Sequence, residues 1–236
     1  YAIAVRDGDV VAHPILLGWD YPNGLITVNP VTAGYTIILD SNRQFEAMAY
    51  DPENKLLYAI ENLGGDNLLV SIDYKNELIT DIGCVEKYTE ITSMAFDRTT
   101  NTLYAIDQTT RTFLEINPQT GAGTAIANYS SGTSNALAAH PITGELYLGW
   151  DVDPSYLTKI DKTTGALTII GSLGINAVTA FDFNPESLVL YGAGQFYGSG
   201  YQLFTVDIKD GTINPIGPLG QVLISGLYVC KPMRDF

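Results

Sequence analysis

The chain has 236 residues, 46% hydrophobic and only 16% charged, which is enough to bury a core and too apolar for a disordered chain. Acidic residues outnumber basic ones 26 to 12, and the resulting net charge of −14 argues against a nucleic-acid partner. No apolar run approaches the roughly 18 residues of a membrane-spanning helix, and fifteen tyrosines favour strands.

Residues 1–12, YAIAVRDGDVVA, open the chain at Tyr1 with no leader pattern, so it reads as a mature or trimmed protein. The apolar start at Tyr1, Ile3 and Val5 has no place in the count of elements below. It suits an extra strand on the first or last sheet, or a strand donated to a neighbouring copy. ILLGW at 15–19 is the first of a recurring strand, followed as LYAI at 57–60, LYAI at 103–106, LYLGW at 146–150 and LYGAG at 190–194. Its tyrosines Tyr58, Tyr104, Tyr147 and Tyr191 are spaced 46, 43 and 44. A next strand ends on Asn29, Asp73, Asn117, Asp161 and Asp207, spaced 44, 44, 44 and 46. A preceding strand, AMAYDP, SMAFDR, LAAHP or DFNP, is anchored at Asp51, Asp97, His140 and Asn184, again 46, 43 and 44 apart.

Each period holds four short apolar runs separated by Gly, Pro, Asn, Asp and Thr, with no sustained 3.6-residue pattern. Four strands in about 44 residues is the signature of a β-propeller blade. The strand rich in Ala, Ser, Gly and Met belongs innermost, at the central channel. Only four copies of it precede the C-terminal segment LISGLYV at 223–229, which therefore completes the first blade. The reading is an all-β, five-bladed propeller of four-stranded antiparallel blades closed by the C-terminal strand. Six blades with one incomplete is the alternative. One domain spans 1–236, with repeats at 9–45 plus 223–229, 46–90, 91–134, 135–177 and 178–222.

The pattern DP-x-x-x-x-LYA followed by ID-x-x-TG-x-x-T-x-IG resembles secreted bacterial β-propeller repeat proteins, loosely similar to NHL propellers, over residues 9–229. The resemblance implies an extracellular or secreted location. It does not fix the function, because propellers host lectins, hydrolases, scaffolds and adhesins.

The recurrent acids Asp51, Asp73, Asp97, Asp161 and Asp207 fit Asx turns. His13 and His140 fall where other repeats carry Asp or Asn, so a turn role also fits them better than a metal. The loops joining second to third strands vary in sequence and share one rim with the loops joining blade to blade. They offer Trp19, Asp20, Tyr21, Trp150, Asp151, Tyr156, Phe196, Tyr197 and Tyr201 as candidate ligand-binding residues. Aromatics beside Asp and Gly serve sugar stacking or protein anchoring; both tryptophans equally suit packing between blades. Glu46, Glu90 and Asp182 are the inner-strand acids that a channel-based glycoside hydrolase would use. No cofactor is expected. Calcium has two candidate pairs, Asp151 with Asp153 and Asp207 with Asp210; neither matches the twelve-residue loop, and the first is the one retained. Asn128 heads the one glycosylation sequon. Cys84 and Cys230 stand as one disulfide or as two buried thiols. The preferred function is a non-catalytic extracellular binding or scaffold module acting through the rim loops. Its partner would be a protein, a copy of itself or a glycan; a lectin and a glycoside hydrolase are the alternatives.

Overall fold

The computed structural model describes residues 15–20, 24–129, 132–220, 222 and 224–230. Among these, twenty strands are joined by turns and loops, with no helix. The first three are β1 (Ile15–Asp20), β2 (Gly24–Val28) and β3 (Tyr35–Leu39). Blade 2 comprises β4 (Phe45–Asp51), β5 (Leu56–Asn62), β6 (Asn67–Asp73) and β7 (Leu78–Cys84). Blade 3 comprises β8 (Ile91–Asp97), β9 (Thr102–Asp107), β10 (Thr112–Ile116) and β11 (Gly123–Asn128). Blade 4 comprises β12 (Thr133–Ala139), β13 (Leu146–Asp151), β14 (Tyr156–Ile160) and β15 (Leu167–Ser172). Blade 5 comprises β16 (Ala177–Phe183), β17 (Leu190–Phe196), β18 (Gly200–Val206) and β19 (Ile213–Gly220). The last strand, β20 (Ile224–Cys230), pairs antiparallel with β1 and completes blade 1 in the order β20-β1-β2-β3.

The ring closes on these five blades. Inner strand β20 packs against both β4 and β16, which leaves no gap for a sixth. The alternative count is thereby set aside. Tyr1, Ile3, Val5 and His13 lie outside the described residues, and so does any strand they form.

Alternating inward side chains produce one apolar cluster at each blade interface. Between blades 2 and 3, for example, Ile60 and Leu69 meet Met94 and Leu114. A regular defect sharpens this packing. Each outer strand shifts register by one residue midway, and the residue left over is Ile38, Ile82, Ile126, Ile170 or Ile216. All five isoleucines fold onto an interface cluster. A β-bulge turns a side chain that would face solvent toward the neighbouring blade.

The repeated polar residues act as turn locks. Asn29, Asp73, Asn117, Asp161 and Asp207 each accept backbone N–H bonds two residues on, at 2.8–3.2 Å. Asp51, Asp97 and Asn184 do the same at the first hairpins, and His140 accepts from the Ile142 and Thr143 amides through Nδ1 at 3.3 and 3.2 Å. The turn role read from recurrence is the one observed.

Asp97 also joins two blades. Its fully buried carboxylate takes a 2.6 Å ion pair from Lys162 Nζ of blade 4. Burial pushes the carboxyl up, but bonds from Lys162, Thr99 and Thr100 outweigh it and hold it below its ordinary value. Asp97 therefore ionises more readily folded than unfolded, so the pair's stabilisation is full at neutral pH and fades as pH falls through that lowered value. Lys162→Met is expected to cost about 2 kcal/mol at pH 7 by stranding a buried charge. The gap in melting temperature to the parent protein should narrow below about pH 4; a gap independent of pH would contradict the pairing.

Candidate functional site

The inner strands of the ring carry a second set of bulges, all at the end where blade follows blade. The β4–β5 ladder skips Glu46, β8–β9 skips Thr92, β12–β13 skips Ser134 and Asn135, and β16–β17 skips Thr179. The β1–β20 ladder is irregular at the same level, between Asp20 and Gly18. A bulged residue leaves the alternation of its strand, so a polar side chain inside an apolar strand turns into the channel. Glu46, Thr92, Asn135 and Thr179 then line one cavity of about 370 Å³ with Glu90, Ala177 and Tyr201. This is the mouth of the channel on the face that carries the second-to-third-strand loops.

The mouth is braced by residues at or just past the ends of the second strands. Asn62 donates to Glu46 Oε1 at 3.3 Å. Gln108 donates to Thr92 Oγ1 at 3.2 Å and Asn135 Oδ1 at 2.9 Å, and so ties blade 3 to blade 4. Thr92 donates to the Ser134 carbonyl at 2.6 Å. Thr109 donates to Glu90 Oε2 at 2.9 Å. Asp151 accepts from Ser155 Oγ at 2.6 Å and from the Val178 amide at 3.1 Å, with Asn135 at a longer 3.5 Å. Burial raises the Asp151 carboxyl above its ordinary range despite these bonds. Burial also raises Glu46; the Asn62 bond opposes the rise, and the charge of Glu90 adds to it. The mouth is acidic and braced by these hydrogen bonds.

The rim candidates are distributed differently from the expectation. Trp19 is 0% exposed and lies edge-on to Phe45 at 4.4 Å in the cluster between blades 1 and 2. Trp150 is 7% exposed, edge-on to Tyr129 at 5.3 Å, and covered by Gly132, where any Cβ would overlap the indole. Sugar stacking by Trp19 and Trp150 is therefore corrected: both rings are interface packing. Asp20 is also buried. Tyr156 and Phe196 are half-buried against interface clusters, Phe196 edge-on to Phe204 at 5.6 Å. Tyr197 is 54% exposed and donates to Asp153 across the gap between blades 4 and 5. Among the described candidates, Tyr201 alone lines the mouth cavity. Tyr21 lies outside the described residues.

The other candidates separate as well. The Asp151 carboxylate is engaged by Ser155, Val178 and Asn135, whereas Asp153 is engaged by Tyr197, so the proposed calcium pair serves two different partners. No group of three or more His, Cys, Asp or Glu side chains converges among the described residues. Glu46 and Glu90 share the mouth, but Asp182 sits near the far end of β16, opposite Tyr191, away from both. Asn128 is exposed at the end of β11 and accepts from Thr112 at 3.3 Å. Cys84 is a free, exposed thiol, which corrects both the disulfide and its reading as a buried thiol.

Thr92, Asn135 and Thr179 were not legible as site residues. The signal was present: each is a polar residue near the start of an inner strand, at the position of Glu46 in the repeat.

Comparison with known proteins agrees with this architecture. A chain of a nidogen/laminin complex is 12% identical, with 92% of this chain and 98% of that one aligned at a TM-score of 0.65. A structural-genomics protein of unknown function from Bacteroides thetaiotaomicron is 19% identical, covering 94% and 59% of the two chains at 0.64. A protein of unknown function from Bacteroides caccae is 12% identical, covering 95% and 100% at 0.62. These likenesses carry the fold alone. No curated protein matches the chain. The model of the repeat of unknown function DUF6923 matches residues 27–213, most of the sequence, and the chain belongs to that family.

Proposed function

We propose that this propeller is a non-catalytic docking module that receives a projecting segment of a partner protein at the mouth of its central channel. The observation that carries the reading is the set of inner-strand bulges. They gather Glu46, Thr92, Asn135 and Thr179 into one braced cavity, while the first hairpins at the opposite ends of these strands are sealed by Asx-type turns. Bulges aim side chains where a regular ladder cannot, and they concentrate at functional edges. With Trp19 and Trp150 buried, the sugar-stacking reading loses its principal support. The nidogen/laminin neighbour is a propeller in a complex of proteins, which makes docking a natural use of the fold.

A glycoside hydrolase is the second reading, favoured by two carboxyl groups in one cavity with Glu46 held above its ordinary range. It needs a sugar to sit between them, above a channel that closes immediately below.

The test is selection of peptides from a random displayed library against the purified protein. Thr179→Arg, which fills the mouth, is expected to weaken the selected binders at least about tenfold, as loss of an anchor pocket does. Ile142→Arg on the opposite face should leave them unchanged. Binders indifferent to Thr179→Arg would overturn the docking site. Hydrolysis of an aryl glycoside that Glu46→Gln abolishes would move the assignment to the second reading.

A further inference from the structure

The outer edge of blade 1 offers a ladder that the outer edge of blade 5 does not. Among the described residues β3 pairs only with β2. The Asn29 amide donates to the Gly34 carbonyl, and the rungs of an antiparallel ladder alternate from there. Thr27 and Thr36 therefore form the next bonded rung, while the N–H and C=O groups of Tyr35 and Ile37 point away from β2. Blade 5 repeats this geometry. The Asp207 amide donates to the Thr212 carbonyl, which places Ile213 and Pro215 on the outward rungs of β19. Pro215 stands at the repeat position of Ile37, and Pro218 follows on the same strand. A proline has no N–H, so this edge cannot carry a regular ladder. β3 has neither proline nor charge, two of the devices that guard a free edge.

The same edge is apolar on one side. Tyr35 and Ile37 pair with Val28 and Ile26 and share their face, which belongs to the cluster between blades 5 and 1. Tyr35 and Ile37 lie at the rim of that cluster, each 47% exposed, and Val31 in the adjoining turn is 55% exposed. An occupant that suits this edge brings a strand with one apolar side.

The chain itself supplies one of the right pattern and reach. An extended YAIAV, residues 1–5, puts Tyr1, Ile3 and Val5 on one side and two alanines on the other. The start of β1 lies at the same end of the sheet as Tyr35, because Leu16 pairs with Val28 and Val28 with Tyr35. A strand outside β3 is three strand spacings from β1, about 14 Å. The connecting residues 6–14 can span about 30 Å when extended. A segment that leads through them into β1 runs toward this end, whereas β3 runs away from it, so the two are antiparallel.

We propose that residues 1–5 of the same chain add to β3 as a fifth, antiparallel strand of blade 1, with Val5 opposite Tyr35 and Ile3 opposite Ile37. This alignment overlaps the two five-residue segments fully and keeps their apolar sides together. A slip of one residue would turn Tyr1, Ile3 and Val5 to the other side. The added strand takes up the outward donors and acceptors of β3 and covers Tyr35 and Ile37. It closes an edge that would otherwise template a strand from another molecule. The inference is independent of the channel mouth.

The experiment is amide hydrogen exchange on the whole chain and on full-length Ile3→Pro, with the mass of each in solution read by light scattering. In the parent, the Tyr35 and Ile37 amides are expected to exchange at least about tenfold more slowly, relative to intrinsic rates, than the amide of Ile169. Ile169 holds the corresponding outward rung of β15 in blade 4. Ile3→Pro removes a donor from the new ladder and should speed Tyr35 and Ile37 by about tenfold or more, with Thr36 unchanged. Val5→Pro is a second variant with the same expected result. Parent amides at Tyr35 and Ile37 that exchange as fast as Ile169, or that ignore both prolines, would overturn the proposal. Protection seen only in a concentration-dependent oligomer would assign the strand to a neighbouring copy and would equally overturn it.

Discussion

Gly171→Ala should destabilise the propeller by at least about 3 kcal/mol, a fall of roughly 6–12 °C in melting temperature. Gly171 is on the outer strand of blade 4, where the carbonyl of Asp210 in the last turn of blade 5 lies against its Cα. A Cβ at Gly171 would overlap that oxygen, and the obstacle is backbone held by its own Asx turn at Asp207. Neither side yields without opening the blade 4–blade 5 interface. Gly83 against Thr120 is the same lock between blades 2 and 3. Blade 3 inverts it, with Ala127 on the strand and Gly165 at φ +67° in the turn. The control is Gly217→Ala at the equivalent place in blade 5, where the new Cβ finds Ala33 and Thr32 at 3.4 Å, ordinary contact. That variant should lose less than about 1 kcal/mol. Equal losses at 171 and 217, read by thermal denaturation, would mean that the glycine acts through chain flexibility and not through close approach.

The second large effect is Trp19→Ala, expected to cost about 3–5 kcal/mol. The indole is wholly buried among Leu17, Leu25, Phe45 and Met48, and its edge-on contact with Phe45 adds to the burial term. The position is sensitive for a topological reason. Among the described residues, blade 1 alone is assembled from early and late parts of the sequence, joined by the β1–β20 ladder. Loosening the blade 1–blade 2 interface therefore weakens ring closure itself. Denaturant titration reads the loss directly. A Trp19→Ala protein of parental stability that loses ligand binding would return tryptophan to the site.

The fold was legible because its constraints repeat. Asx turns, LY strands and small inner-strand residues recur in registers that share one period, and a turn needing Asp or Asn accepts little else. The missing inner strand was found by the same arithmetic, and β20 occupies it one residue later than expected. The site was half legible. Its face follows from propeller topology, and Glu46 and Glu90 stood out as inner-strand acids. Trp19 and Trp150 misled because a loop-proximal aromatic in a strand of period two points inward or outward according to register, which one residue reverses. Thr92, Asn135 and Thr179 went unseen because a strict two-step alternation cannot represent a bulge.

The central claim is that the bulge-lined mouth is where this protein meets its partner. Backbone amide exchange, measured with and without a library-selected peptide, tests it most directly. The account predicts slowed exchange at Glu46, Thr92, Asn135 and Thr179, with the hairpins at Asp51, Asp97, His140 and Asn184 unchanged. Protection confined to those hairpins, or to the outer strands, would contradict it.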